Sequence, residues 1–132
     1  MPPMPRRTLL ALLAVFIGGA AGSLLREVLP PLVPATDLLT STFAINVLAC
    51  LIVGWLFAIR HRVHAHVMHL GAVGFCGGLS TFSSFVADID EKLADDAYGF
   101  AVAAPTLEIV AGLVAALIGE TVGRRWAARD AR

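Results

Sequence analysis

Glycine, hydroxyl and phenylalanine side chains are concentrated in one short stretch of this chain, residues 74–85, GFCGGLSTFSSF. Glycine costs about 1 kcal/mol relative to alanine inside a helix, and serine and threonine can hydrogen-bond to the backbone instead of supporting it. The stretch lies within a long apolar segment, so an interruption would fall at membrane depth. Irregular backbone persists there only where it is buried in protein or lines a polar cavity. The stretch therefore predicts a broken membrane helix that carries an ion or substrate site.

Two kinds of ion ligand are available in this stretch. Phe82 and Phe85 are three residues apart, and the electropositive edge of an aromatic ring can face an anion that has lost part of its water. At the same spacing the two rings could also be ordinary packing residues. Backbone carbonyls freed between Gly77 and Ser80 would suit a hard cation such as Na⁺, because hard cations take oxygen ligands. The residues alone favour an ion site without deciding the sign of the ion.

The composition is that of a membrane protein. Of 132 residues, 58% are hydrophobic and 15% are charged, which is too apolar for a soluble domain and does not fit a disordered one. The formal net charge is zero, so no overall basic field would attract nucleic acid. The length predicts a single domain over residues 1–132.

Four membrane-spanning helices can be drawn, because a bilayer core needs about 20 apolar residues per helix. Prolines 30, 31 and 34 are expected to end the first helix and to form a stiff turn. Alternatively, the N-terminal segment could be a cleaved signal peptide, but its apolar run continues past the small residues and three more spans follow. We predict an all-α membrane protein with its third helix broken near the middle, the spans being about 8–29, 38–59, 67–93 and 98–122.

Arginines are distributed unevenly over the predicted loops. With four spans, the N-terminus, the link after the second span and the C-terminus share one side, and that side carries Arg6, Arg7, Arg60, Arg62, Arg124, Arg125, Arg129 and Arg132. The opposite side has only Lys92, with Arg26 at the end of the first span. The positive-inside rule therefore predicts that both termini are cytoplasmic.

Several polar residues fall inside the spans, where they are costly and commonly functional. Arg26 could extend its charge to the interface, and Asn46 could either bond across helices or donate its amide to a passing anion. Thr42 lies one turn before Asn46. Cys50 and Cys76 are expected to be packing residues. With no Ser-His-Asp, Cys-His or phosphate-loop pattern, the sequence predicts a protein that is not an enzyme.

These residues resemble the Fluc/CrcB fluoride channels, a family of small four-helix bacterial membrane proteins. Residues 18–26, GGAAGSLLR, are similar to the first-helix pattern of the family, and Thr42 and Asn46 with Gly54 are similar to the second. The third-helix signature is matched almost throughout by residues 74–85. Glycines 112 and 119 have the fourth-helix spacing.

The resemblance implies an antiparallel dimer with two pores in the bacterial inner membrane, which conducts fluoride passively out of the cytoplasm and reduces fluoride toxicity. It implies a structural Na⁺ at the dimer centre, held by the carbonyls of Gly77 and Ser80. Arg26 would lie near the vestibule. The anion-conducting residues that it implies are Thr42, Asn46, Phe82, Ser84 and Phe85.

The chain departs from the family pattern at three features. Ala49-Cys50 stands where the second helix usually has Gly-Ser, and Ser80 replaces a threonine. Glu108 stands where a hydroxyl is usual on the fourth helix, and a charged carboxylate beside an anion path would repel fluoride; it is therefore expected to be protonated, paired with a basic group or turned away. The arginine bias favours one orientation, so the partner in the dimer could be an oppositely oriented paralogue instead of a second copy. Two other functions remain open: a small multidrug-resistance-like proton-coupled transporter, and a non-conducting subunit of a heteromeric channel.

Overall fold

The computed structural model of the chain describes residues 5–32 and 40–130, and all regular structure in these ranges is helical. The first two membrane-length helices are single elements. The third membrane-length stretch is built from several helical segments, and two non-helical residues separate the last segment from the preceding ones. The elements are α1 (Arg6–Val28), a 3₁₀ helix (Pro30–Leu32), α2 (Ser41–Ala58), α3 (Ala65–Met68), a π-helical segment (His69–Phe75), α4 (Cys76–Leu79), α5 (Phe82–Ala94) and α6 (Tyr98–Asp130).

Within residues 5–32 and 40–130, four stretches are long and apolar enough to cross a membrane, namely Arg6–Val28, Ser41–Ala58, Ala65–Ala94 and Tyr98–Asp130. The prediction of an all-α protein with four membrane-spanning helices is confirmed. Pro34 and the predicted start of the second span at Leu38 lie outside the described residues. The last helix continues eight residues past its predicted end at Val122. Arginine and alanine are good helix formers, so the helix continues beyond the end of the apolar segment.

The spans associate in two parallel pairs through small residues. On the α1 side, a Cβ built on Gly22 would overlap the carbonyl oxygen of Phe75, and one built on Gly78 would overlap that of Gly19. On the α2 side, a Cβ on Gly54 would overlap the carbonyl of Ala116 in α6. Helices in a membrane gain most from such close backbone contact, because lipid supplies no hydrophobic drive between them. The glycines therefore set the two interfaces that hold the spans together.

Polar contacts mark the two ends of the bundle. At one end, Arg62 in the link after α2 lies 3.3 Å from Asp130 at the end of α6. At the other end, Thr40 Oγ1 donates to Asp88 Oδ2 at 3.0 Å, just before α2 begins and within α5. The link after the second span and the C-terminal end of the last helix therefore lie on the same side.

The small core sits where α2 crosses the third span. Leu79 is fully buried, and it packs with Ile45, Ala49 and Cys76 in one cluster. Many large apolar side chains of α1 and α6 are exposed on the outside. That distribution suits a protein whose outer surface faces lipid.

Candidate functional site

The interruption in the third span falls at Ser80 and Thr81. Ser80 has φ −76° and ψ 152°, and Thr81 has φ −146° and ψ 120°, so both are extended between α4 and α5. Gly74, Gly77 and Gly78 precede it and keep helical backbone. The glycines, which the sequence pattern put among the causes of a break, thus remain helical. Gly74 and Gly78 instead permit the close approach to α1.

Thr81 organises the start of α5. Its Oγ1 accepts a hydrogen bond from the backbone N–H of Ser84 at 3.3 Å, which caps the helix. Its own backbone N–H donates to Asn46 Oδ1 at 3.0 Å. In a continued α-helix that N–H would donate to the carbonyl of Gly77. The Gly77 carbonyl therefore loses its ordinary helical donor.

The Asn46 side chain joins three helical segments. Its Oδ1 accepts from Thr81 in the interruption, and its Nδ2 donates to Glu108 Oε1 on α6 at 2.6 Å. Because one partner is an N–H donor and the other a carboxyl acceptor, the orientation of the amide is defined by both contacts. Asn46, which belongs to α2, is thus held at a fixed position between the interruption and α6.

One cleft, which we call the central cleft, opens beside this amide. It brings together Asn46, Phe82, Phe85 and Glu108, and Ser80 also borders it. The rings of Phe82 and Phe85 are 5.9 Å apart between centroids and inclined by 29°. Phe82 is 77% exposed in the single chain. The other lining residues are Cys50, Thr81, Ile109, Gly112 and Leu113.

A second cleft, the Arg26 cleft, holds the predicted anion-path and vestibule residues that the central cleft does not contain. Arg26, Thr42 and Ser84 line it together, and Thr81 borders both clefts. Arg26 Nη1 donates to the carbonyl of Gly78 at 3.3 Å, and Nη2 lies 3.8 Å from the carboxylate of Glu27. The predicted residues are therefore divided between two adjacent clefts, which meet at Thr81.

Gly77 lies on the outside of the single chain. A Cβ built on it would meet nothing within 4 Å, whereas most of the glycines facing α1 or α6 have no such room. Ser80 Oγ donates back to the carbonyl of Cys76 at 2.8 Å, which turns its side chain into the chain rather than outward. The backbone around Gly77 is therefore open to a neighbour that the single chain does not supply.

Two features of the site were missed in the sequence. The capping role of Thr81 could have been inferred, because threonine is a favoured residue immediately before the first turn of a helix. The contact between Asn46 and Glu108 could not, because it depends on the register between α2 and α6. Glu108 lines the central cleft, and its hydrogen-bond partner there is the Asn46 amide rather than a basic group.

Comparison with known proteins supports the resemblance seen in the residues. The family described as "CrcB-like protein, Camphor Resistance (CrcB)" matches residues 13–120. A protein of Ruegeria pomeroyi named "Fluoride-specific ion channel FluC" is 58% identical over 91% of this chain and 93% of its own length.

More distant relatives carry the same name. One from Pseudomonas fluorescens is 37% identical over 82% of this chain and 92% of its own length. Another, from Ignicoccus hospitalis, is 34% identical over 87% of this chain and 96% of its own length. The predicted resemblance is confirmed, and this chain belongs to the CrcB family.

Proposed function

We propose that this chain is a fluoride channel. The family membership and the names of the relatives support this function. The observation in the structure that carries it is the central cleft, where the amide of Asn46 and the rings of Phe82 and Phe85 line one space next to the interruption. Amide hydrogens and ring edges are groups that can replace part of the hydration shell of a small anion.

The arrangement suits conduction rather than tight binding. Fluoride is small and strongly hydrated, so several donors must offset its dehydration together, and conduction needs sites that are weak and multiple. Thr42, Ser84 and Arg26 in the adjacent cleft supply further hydroxyl donors and a positive charge. We infer that the anion passes between the two clefts near Thr81.

The proposed direction is passive efflux from the cytoplasm. An inside-negative membrane potential drives an anion outward, by about 2.3 kcal/mol per charge for each 100 mV. Protonated fluoride enters as a neutral weak acid and dissociates inside, so such a channel would lower the fluoride load of the cell without an energy source.

We further propose that the protein resides in the bacterial inner membrane with both termini in the cytoplasm. The contact between Arg62 and Asp130 supports placing the link after α2 and the C-terminal end of α6 on the same side of the membrane. That side is the arginine-rich one, which the positive-inside rule assigns to the cytoplasm.

A second chain is proposed to complete the pore. Phe82 is largely exposed in the single chain, and Gly77 faces open space, so both residues lack neighbours that an oppositely oriented partner could supply. We propose an antiparallel dimer with two pores, formed with another copy or with an oppositely oriented paralogue. Reporter fusions at the C-terminus distinguish these, since a homodimer requires both orientations and the paralogue arrangement requires one.

The residues around Gly77 fit a structural Na⁺ at the dimer centre. Thr81 donates to Asn46 instead of to Gly77, so the Gly77 carbonyl has an oxygen free of its helical donor, and the adjoining Ser80 backbone is extended. Hard cations favour such oxygen ligands. The carbonyls of Gly77 and Ser80 would hold the ion, whose charge would link the two crossing interruptions.

The family match favours a channel over a small multidrug-resistance-like transporter. A non-conducting subunit is separated from a channel by growth on fluoride. A bacterium that lacks its own fluoride channel should regain growth in millimolar fluoride when this chain is expressed alone, and a Phe82→Ile variant should fail to restore it. Failure of the native chain to rescue growth, despite its presence in the membrane, would contradict a self-sufficient channel.

A further inference from the structure

Glu108 is a carboxylic acid in the cleft that we assign to an anion. It lies on α6, it is partly buried, and it borders the central cleft together with Phe82 and Phe85. It also borders a small adjoining cavity with Phe85 and Asp88. A fixed negative charge at this position opposes the entry of another anion.

The Glu108 carboxylate is hydrogen-bonded to the Asn46 amide, the donor that fluoride would use. Asn46 Nδ2 donates to Glu108 Oε1 at 2.6 Å, while Asn46 Oδ1 is taken by the backbone N–H of Thr81. The Thr81 contact prevents the amide from rotating to offer fluoride a different face. The Glu108 carboxyl therefore occupies one of the two N–H donors of an amide whose direction is fixed, and its charge lies beside the other.

We propose that Glu108 is a tethered competitor of fluoride, so that the anion reaches the Asn46 amide only when the Glu108 side chain is neutral or has moved aside. This inference rests on the proposed function. It makes Glu108 a gating residue of the same cleft, and it predicts that protonation of the carboxyl group speeds fluoride flux. The native channel is then slow in alkaline medium and faster in acidic medium.

Other titratable groups could give a pH effect of their own. Among the described residues, the charged or titratable side chains that share a cleft with Glu108 are Cys50 on α2 and Asp88 and Lys92 on α5. Asp88 accepts a hydrogen bond from Thr40, and this contact lies at the end of the bundle rather than in the central cleft. An Asp88→Asn variant therefore serves to separate its contribution from that of Glu108.

The test is fluoride efflux from liposomes that contain the full-length protein, between about pH 8 and about pH 4, a range that extends down to the pH of about 4.3 at which an unperturbed glutamate is half protonated. Glu108→Gln keeps the size and the acceptor but removes the charge, and Glu108→Ala removes the competitor altogether. Glu91→Gln, at an exposed position on α5, is the matched control. Phe82→Ile liposomes report the leak of neutral hydrogen fluoride.

The native protein should conduct faster as the pH falls, and Asp88→Asn and Glu91→Gln should keep that rise. Near pH 8, Glu108→Gln should exceed the native flux by about tenfold or more, since one unit of repulsive charge is removed, and its flux should not change with pH. Glu108→Ala should be at least as fast as Glu108→Gln. Where size-exclusion profiles show that Glu108→Gln is misfolded, Glu108→Ser takes its place.

Native and Glu108→Gln fluxes that agree at every pH, with clear fluoride conduction in both, would overturn the gating role and leave the proposed channel intact. A native flux that does not depend on pH would do the same. Absence of fluoride flux in the native protein and in all variants would instead overturn the proposed function, and the gating role with it.

Discussion

Asn46 and Thr81 are joined by a 3.0 Å hydrogen bond from the backbone N–H of Thr81 to the side-chain oxygen of Asn46. The bond replaces the one that Thr81 would make to Gly77 in a continued helix. It thereby connects the N-terminal half of α2 to the point where the third span is interrupted. A single side chain on α2 thus stabilises the extended backbone that interrupts the third span.

Replacing Asn46 by alanine should reduce both stability and fluoride flux. The Thr81 N–H loses its acceptor in a low-dielectric setting, which costs about 1–3 kcal/mol, and the pore loses its amide donor. Thermal unfolding in detergent and efflux from liposomes measure the two effects. An Asn46→Ala protein with native stability and native flux would show that the contact contributes neither to the interruption nor to conduction.

Replacing Phe82 by isoleucine should remove fluoride flux and leave the protein folded. The ring is exposed in the single chain, so its loss removes little internal packing, whereas its edge is a proposed anion contact. Phe57→Ile is the matched control, because Phe57 is also an exposed phenylalanine but lies on α2 away from both clefts. Equal losses of flux in the two variants would point to a general effect of aromatic truncation.

Replacing Gly22 by alanine should destabilise the bundle. An added Cβ would overlap the Phe75 carbonyl, so α1 must move away from the third span, at a cost of about 1–3 kcal/mol. Gly99→Ala provides the control, because a Cβ there meets nothing within 4 Å. We expect a lower midpoint of thermal unfolding in detergent for Gly22→Ala only. Equal midpoints in the two variants would contradict the close approach of the helices.

Removal of Na⁺ should weaken the dimer. When Na⁺ is exchanged for a large organic cation during purification, the proposed site at Gly77 and Ser80 is left without the charge that holds the two interruptions together. The dimer should then dissociate at lower temperature or lower detergent concentration, and added Na⁺ should restore it. Analytical ultracentrifugation follows both changes. A dimer that is equally stable with and without Na⁺ would argue against the site.

Much of the fold could be predicted from the sequence, because membrane solvent imposes strong rules on length and composition. Apolar length predicts four spans, and the described part of the chain contains four helical stretches long and apolar enough to cross a membrane. The last helix was drawn too short at Val122, because the rules for lipid do not say where a helix ends once it reaches water. The position of the interruption depends on tertiary contacts. Gly78 packs on α1 and stays helical, and the backbone becomes extended two residues later, at Ser80.

The candidate site was predictable by residue type but not by arrangement. Asn46 and Phe82 were identified as possible anion contacts from their chemistry and from the family resemblance, and the structure places them on the same cleft. Thr42 and Ser84 lie on a different cleft, with Arg26. Neither this division nor the Asn46–Glu108 contact follows from spacing along the chain, because both depend on how α2 aligns with its neighbours.

Whether this chain is a fluoride channel is decided most directly by ion efflux from liposomes containing only this protein, with fluoride and chloride compared at equal gradients. Both are recorded across a range of pH, so that the charge on Glu108 does not hide conduction. We expect rapid loss of fluoride, retention of chloride and no fluoride efflux through Phe82→Ile. Equal efflux of both anions, or retention of fluoride at every pH by a folded protein, would contradict the proposed channel.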